Sequence, residues 1–74
     1  MNLVIDALKA KYTAERLEAI ANLQVYLSSP VGVGEHPNIV QECDKLIGII
    51  GEAEDKLQTV VNLVNQSNTE QAQE

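Results

Sequence analysis

The chain contains no tryptophan and no phenylalanine, and two tyrosines are its only aromatics. Its core is therefore expected to be aliphatic, drawn from Leu, Ile, Val and Ala. It holds a single cysteine, Cys43, and a single histidine, His36. One cysteine excludes a disulfide within the chain, and the pair is too few for a zinc site of the Cys/His kind. A lone thiol also fits a reducing compartment better than an oxidising one. No apolar run approaches the ~18 residues of a membrane-spanning helix. Basic residues are scarce: five Lys and Arg stand against eleven Asp and Glu, a net charge of −6. Phosphates attract cations and repel carboxylates, so nucleic acid is not expected as a partner. An anionic membrane surface is not expected either. The stretch from Met1 to Ala10 lacks the basic start and cleavage pattern of a signal peptide. These absences together give the expectation of a soluble, cytoplasmic protein.

What is present is an apolar repeat. Ile39, Cys43, Leu46, Ile50, Ala53, Leu57, Val60 and Val64 follow one another at spacings of 4, 3, 4, 3, 4, 3 and 4. A period of 3.5 residues means a long α-helix laying one stripe against other helices. With that seam at the a and d positions, the flanks are wide. Val40, Ile47, Glu54 and Val61 fall at e, and Glu42, Ile49, Lys56 and Leu63 at g. Two-stranded coiled coils usually place charges there. Here the apolar face is broader than one partner helix covers.

The chain divides into three zones. Residues 3–28 lack Gly and Pro and are rich in Ala, Leu, Glu and Lys, all good helix formers. Residues 29–36 are punctuation, with Pro30, Gly32 and Gly34 favouring a turn. Residues 37–66 read as a second helix, with Pro37 suited to its first position. The polar stretch 67–74 has no apolar period and is expected to be a flexible tail. A helix start at Thr13, stapled by Tyr12 and Leu17, is the alternative reading of the first zone. Against it, Lys11 and Glu15 are placed for an i,i+4 pair across that point. The first helix carries a looser stripe of Leu3, Ala7, Ala10, Ala14, Leu17 and Ala21, widened by Ile20, Leu23 and Leu27. Gly48 and Gly51 lie inside the second helix, but the seam keeps its phase across them, so a single unbroken helix is expected.

The predicted fold class is all-α: one antiparallel two-helix hairpin in a single domain, 1–66, dimerising into a four-helix bundle. Chains of this length, 74 residues, bury little of their surface alone and often need a partner chain. The expected oligomer interface is Ile39, Cys43, Leu46, Ile47, Ile50, Ala53, Leu57, Val60, Val61 and Val64. The chain itself is the expected partner, as a dimer or a tetramer, with another protein as a further candidate.

The stretches VYLSSPVGVGEHPNIVQE and GEAEDKL, and above all PVGVGEHP from Pro30 to Pro37 between two helices, carry a resemblance. They resemble a family of small helical-hairpin proteins encoded by T4-like tailed phages, including those of cyanobacteria. The resemblance covers about half the chain. It implies a phage-encoded hairpin acting in an infected bacterium, and it implies no catalytic residue.

The chemistry-bearing residues do not converge. His36 has no nucleophile or orienting acid in its neighbourhood of the sequence. Cys43 falls on the seam, where a thiol acts as a small hydrophobe. Glu52 is spaced for a pair with Lys56, and Glu54 for one with Arg16 or a lysine across the bundle. A di-iron bundle needs Glu-x-x-His on two helices, and neither helix has a histidine. PVGVG lacks the Lys and Ser/Thr of a phosphate-binding loop. No cofactor, metal or enzymatic activity is therefore expected. The predicted function is a non-enzymatic interaction or structural protein. The loop Pro30, Val31, Gly32, Val33, Gly34, Glu35 and His36 is the candidate contact for another protein. The alternative is an acidic decoy for a host nucleic-acid-binding protein, with carboxylates imitating phosphates.

Overall fold

The structure is a computed structural model that describes the backbone of residues 2–28 and 38–73, and side chains as far as residue 66. It is an all-helical hairpin: helix α1 spans Leu3–Ser28 and helix α2 spans Ile39–Gln73, with no strand among the described residues. The helices run antiparallel. Tyr26, near the end of α1, shares a groove with Glu42 and Lys45, near the start of α2. Arg16 meets Glu54, and the Lys56 ammonium lies over the Tyr12 ring, 5.3 Å from its centroid.

The α1 limits are those its composition predicts, and the helix runs unbroken through Thr13. What starts it is Asn2. Its side-chain Oδ1 accepts hydrogen bonds from the backbone N–H groups of Val4 at 3.0 Å and Ile5 at 3.2 Å. Two of the four orphan donors of the first turn are thereby satisfied. At the other end the Ser28 hydroxyl donates back to the Gln24 carbonyl at 2.6 Å. The first turn of α2 closes with the Glu42 N–H on the Asn38 carbonyl, and the helix as described begins at Ile39. Gly48 and Gly51 are helical and exposed, as the uninterrupted seam requires. The helix also continues to Gln73, past the last apolar position. Gln, Glu and Ala propagate a helix once it is nucleated, and this stretch holds no Gly or Pro to stop it. The expected loop 29–36, Pro37 and the side chains of the expected tail 67–74 lie outside the described residues.

The seam of α2 is turned toward α1. Among the described residues only Ala19, Ala53 and Val60 are buried, at 3, 3 and 5% exposure. Ile39, Cys43, Leu46, Ile50, Leu57 and Val64 are half-buried beside them. The face that α1 presents in return differs from the expected one. Ile5, Leu8, Tyr12, Glu15, Arg16, Ala19, Ile20, Leu23 and Tyr26 are the buried or half-buried positions, whereas Leu3, Ala7, Ala10, Ala14, Leu17 and Ala21 are all exposed. The physical reason lies in side-chain size. Both faces of α1 repeat at helical spacing, but the packed one carries Ile, Leu and Tyr, which remove more apolar area from water than alanines do.

Candidate interaction surface

One hairpin leaves much of its apolar surface in water. The chain exposes 5779 Å², against about 4,500 Å² for a compact folded monomer of its 8.1 kDa. Part of that excess reflects the elongated shape, 60 × 18 × 15 Å. The rest is visible in the side chains: Val40, Ile47, Ile49, Val61 and Leu63 of α2 are exposed, and so are Leu3, Val4, Leu17, Val25 and Leu27 of α1.

These side chains are not scattered. Val40, Ile47, Glu54 and Val61 are seven residues apart, so they share one flank of α2. The Glu54 carboxylate accepts a hydrogen bond from Arg16 Nε at 2.8 Å, which shows which flank of α1 lies alongside. Arg16, Ile20 and Leu27 are spaced by 4 and 7, and occupy that flank together. One broad side of the hairpin thus presents Val40, Ile47 and Leu27 toward the loop end, with Ile20 half-buried beside them. The Arg16–Glu54 pair sits at mid-length, and Val61 lies beyond it. Leu27 is 69% exposed and Ile47 55%.

The opposite broad side is more polar. It carries the Lys11–Glu15 pair at 3.8 Å, the Lys45–Glu42 pair at 3.4 Å and the Lys56–Glu52 pair at 3.0 Å. Two of these, Lys11–Glu15 and Lys56–Glu52, stand where the i,i+4 spacing expects them. The hydrogen bond and charge of Glu52 hold the Lys56 ammonium above its ordinary pKa, with smaller support from Tyr12 and Glu15. Glu15 sits on the packed face, and its Oε1 is covered without a hydrogen-bond partner. Beside it, Glu15, Glu18, Ala19, Asn22, Leu46 and Ile49 line a recess of about 110 Å³. An adjoining shallow groove of about 420 Å³ runs past Val25, Tyr26, Glu42 and Lys45. Neither brings a nucleophile together with a base.

Among the described residues no group of three His, Cys, Asp or Glu side chains is placed to hold a metal ion. Cys43 is half-buried on the seam. No helix among the described residues is long and apolar enough to cross a membrane. Of the ten expected interface residues, Ile47 and Val61 lie on the exposed apolar side, and the other eight face α1 within one chain. The candidate loop residues Pro30, Val31, Gly32, Val33, Gly34, Glu35 and His36 fall outside the described residues. Sequence reasoning missed the Asn2 cap, although an Asn directly before a helical run is a recognisable start signal. It also missed which face of α1 is free. No protein-family model matches the chain, and no curated protein or solved structure matches it.

Proposed function

We propose that the protein is a non-enzymatic interaction or structural protein that works as a homo-oligomeric helical bundle. Two hairpins pack through the side bearing Val40, Ile47, Val61, Ile20 and Leu27 to form a four-helix bundle. The observation that carries this reading is the surface the single hairpin leaves open. On one side of it Val40, Ile47, Val61 and Leu27 stand 83, 55, 41 and 69% exposed, aliphatic side chains that a second hairpin would take out of water. The choice of side follows from charge. Among the described residues, one flank holds a single ion pair amid aliphatic side chains, whereas the other holds three pairs whose desolvation would be costly. A phage origin, with action inside an infected bacterium, rests on the PVGVGEHP resemblance, and the loop Pro30–His36 is the proposed contact for a host or phage protein.

The test is mass in solution, by light scattering or sedimentation with circular dichroism, across a dilution series. The wild-type chain is expected at the mass of two chains or a multiple of it, with its stability to urea falling on dilution. Ile47→Lys places a charge at the centre of the proposed contact and is expected to halve the mass. An Ile47→Lys chain with unchanged mass would refute the chosen side, and a wild-type helical monomer at every concentration would refute the bundle.

A further inference from the structure

The bundle proposed above leaves the outermost face of α1 uncovered, and that face has a pattern of its own. Leu3, Ala7, Ala10, Ala14, Leu17, Ala21, Gln24 and Ser28 are spaced 4, 3, 4, 3, 4, 3 and 4, a second heptad seam on the side of α1 away from α2. All eight are exposed, Leu3 at 77% and Leu17 at 63%. A seam rich in alanine lets another helix come close, and its flanking residues choose the partner and its direction.

Those flanking residues are self-complementary. On the e side of this seam stand Val4, Lys11, Glu18 and Val25. Lys11 and Glu18 lie at equal distances from a point between Ala14 and Glu15, and so do Val4 and Val25. An antiparallel copy placed on a two-fold axis near that point sets Lys11 of each copy against Glu18 of the other, and Val4 against Val25. That register overlaps α1 over its whole length, Leu3–Ser28. In the seam it seats Leu17 of one copy on Ala14 of the other, large against small at the centre, and Ala10 on Ala21, where the backbones can come close. The g side then pairs Thr13 with Ile20 and Asp6 with Leu27, with no like charges opposed. Shifting one copy by a heptad would instead set Lys11 against Lys11. Within the chain Lys11 reaches Glu15, at 3.8 Å, and none of the ion pairs among the described residues involves Glu18.

We propose that this face of α1 is a second self-interface, on which a second copy of the chain docks antiparallel through the Ala-rich seam, steered by reciprocal Lys11–Glu18 pairs. Its seam and its Lys11–Glu18 flank lie outside the bundle face, and the two faces meet along a shared edge at Ile20 and Leu27. A chain using both faces assembles as a dimer of dimers.

The experiment is a charge exchange read by mass. Lys11→Glu and Glu18→Lys each put like charges opposite one another at both symmetry-related pairs. Each variant is made in the full chain and in the Ile47→Lys background, where only the α1 face remains available. The parent Ile47→Lys chain is expected as a two-chain species. Each charge variant in that background is expected to show a twofold drop in mass with helicity retained. In the otherwise unchanged chain the same variants take a four-chain mass to a two-chain mass. Mixing the two single variants sets the introduced glutamate of one chain against the introduced lysine of the other, and the retained Glu18 against the retained Lys11. The mixture is therefore expected to restore the mass, as is the double exchange within one chain. A Glu18→Lys chain of undiminished mass would overturn the proposal, because a parallel arrangement sets Lys11 against Asp6 and leaves Glu18 facing Thr13. Failure of the mixture to recover would overturn it too. Should Ile47→Lys leave the wild-type mass unchanged, the bundle side is wrong, while the charge exchange still decides the α1 face.

Discussion

Adjacent valines on α2 give the sharpest reading of how this surface is used. Val60 is 5% exposed on the seam toward α1, and Val61 is 41% exposed on the outer flank. Truncation of either to alanine removes two methyl groups from the same kind of backbone. At Val60 the lost burial is about 0.8 kcal/mol per methyl plus a cavity contribution, about 2 kcal/mol in all. Alanine is the better helix former by about 0.6 kcal/mol at either position, which leaves a net loss near 1.5 kcal/mol. At Val61 in a lone hairpin the smaller loss of burial and the gain in propensity nearly cancel. Once a second chain covers the flank, the cost of Val61→Ala rises toward that of Val60→Ala. Because association stabilises the fold by mass action, that rise is expected only at high protein concentration. Urea titrations followed by circular dichroism, at protein concentrations well below and well above the dissociation constant, measure both quantities. Equal costs for the two variants at low concentration would refute the helix register. A Val61→Ala cost that stays near zero at high concentration would refute the covered flank.

Other perturbations follow from the same geometry. A methyl group added at Gly48 or Gly51 meets nothing within 4 Å, so Gly48→Ala and Gly51→Ala are each expected to stabilise the helix by about 0.8–1 kcal/mol in thermal or urea unfolding; loss of the oligomeric mass instead would show another backbone lying against α2. A double-mutant cycle of Arg16→Gln with Glu54→Gln is expected to give a coupling of ~0.2–1 kcal/mol that shrinks with added salt, since both side chains are about half exposed; a coupling indifferent to salt would contradict an open pair. Glu52→Gln is expected to lower the Lys56 titration toward the ordinary lysine value, read by NMR. Since folding raises that pKa, the associated stability is complete below the ordinary lysine range and is lost as pH rises through the raised value; a change confined to acid or neutral pH in Glu52→Gln would contradict the assignment.

The two helices of this hairpin were unequally legible, and the inequality has a physical source. Helix α2 has one apolar stripe, from Ile39 to Val64, so its period alone says which side turns inward. Its glycines do not disturb the phase and sit exposed. Helix α1 has apolar residues on both sides. The stripe Leu3, Ala7, Ala10, Ala14, Leu17 and Ala21 is cleaner, because the competing one is interrupted by Glu15 and relies on Tyr12 and Tyr26. Spacing alone favours the cleaner stripe, whereas packing favours the larger side chains. That difference is also what leaves α1 with a seam to spare. The charges were legible wherever both partners lie on one helix, as in Lys11–Glu15 and Glu52–Lys56. The cross-helix pair was narrowed to Arg16 or a lysine, and only the antiparallel register selects Arg16. The end of α2 shows the opposite limit, since the loss of apolar period after Val64 marks where packing stops and does not itself stop a helix. Each difference sits where two local signals compete on one segment. The free α1 seam belongs to the same class: a regular pattern whose intrachain partner chose the other side, so that the arrangement of Lys11 and Glu18 becomes the feature that can select a second copy.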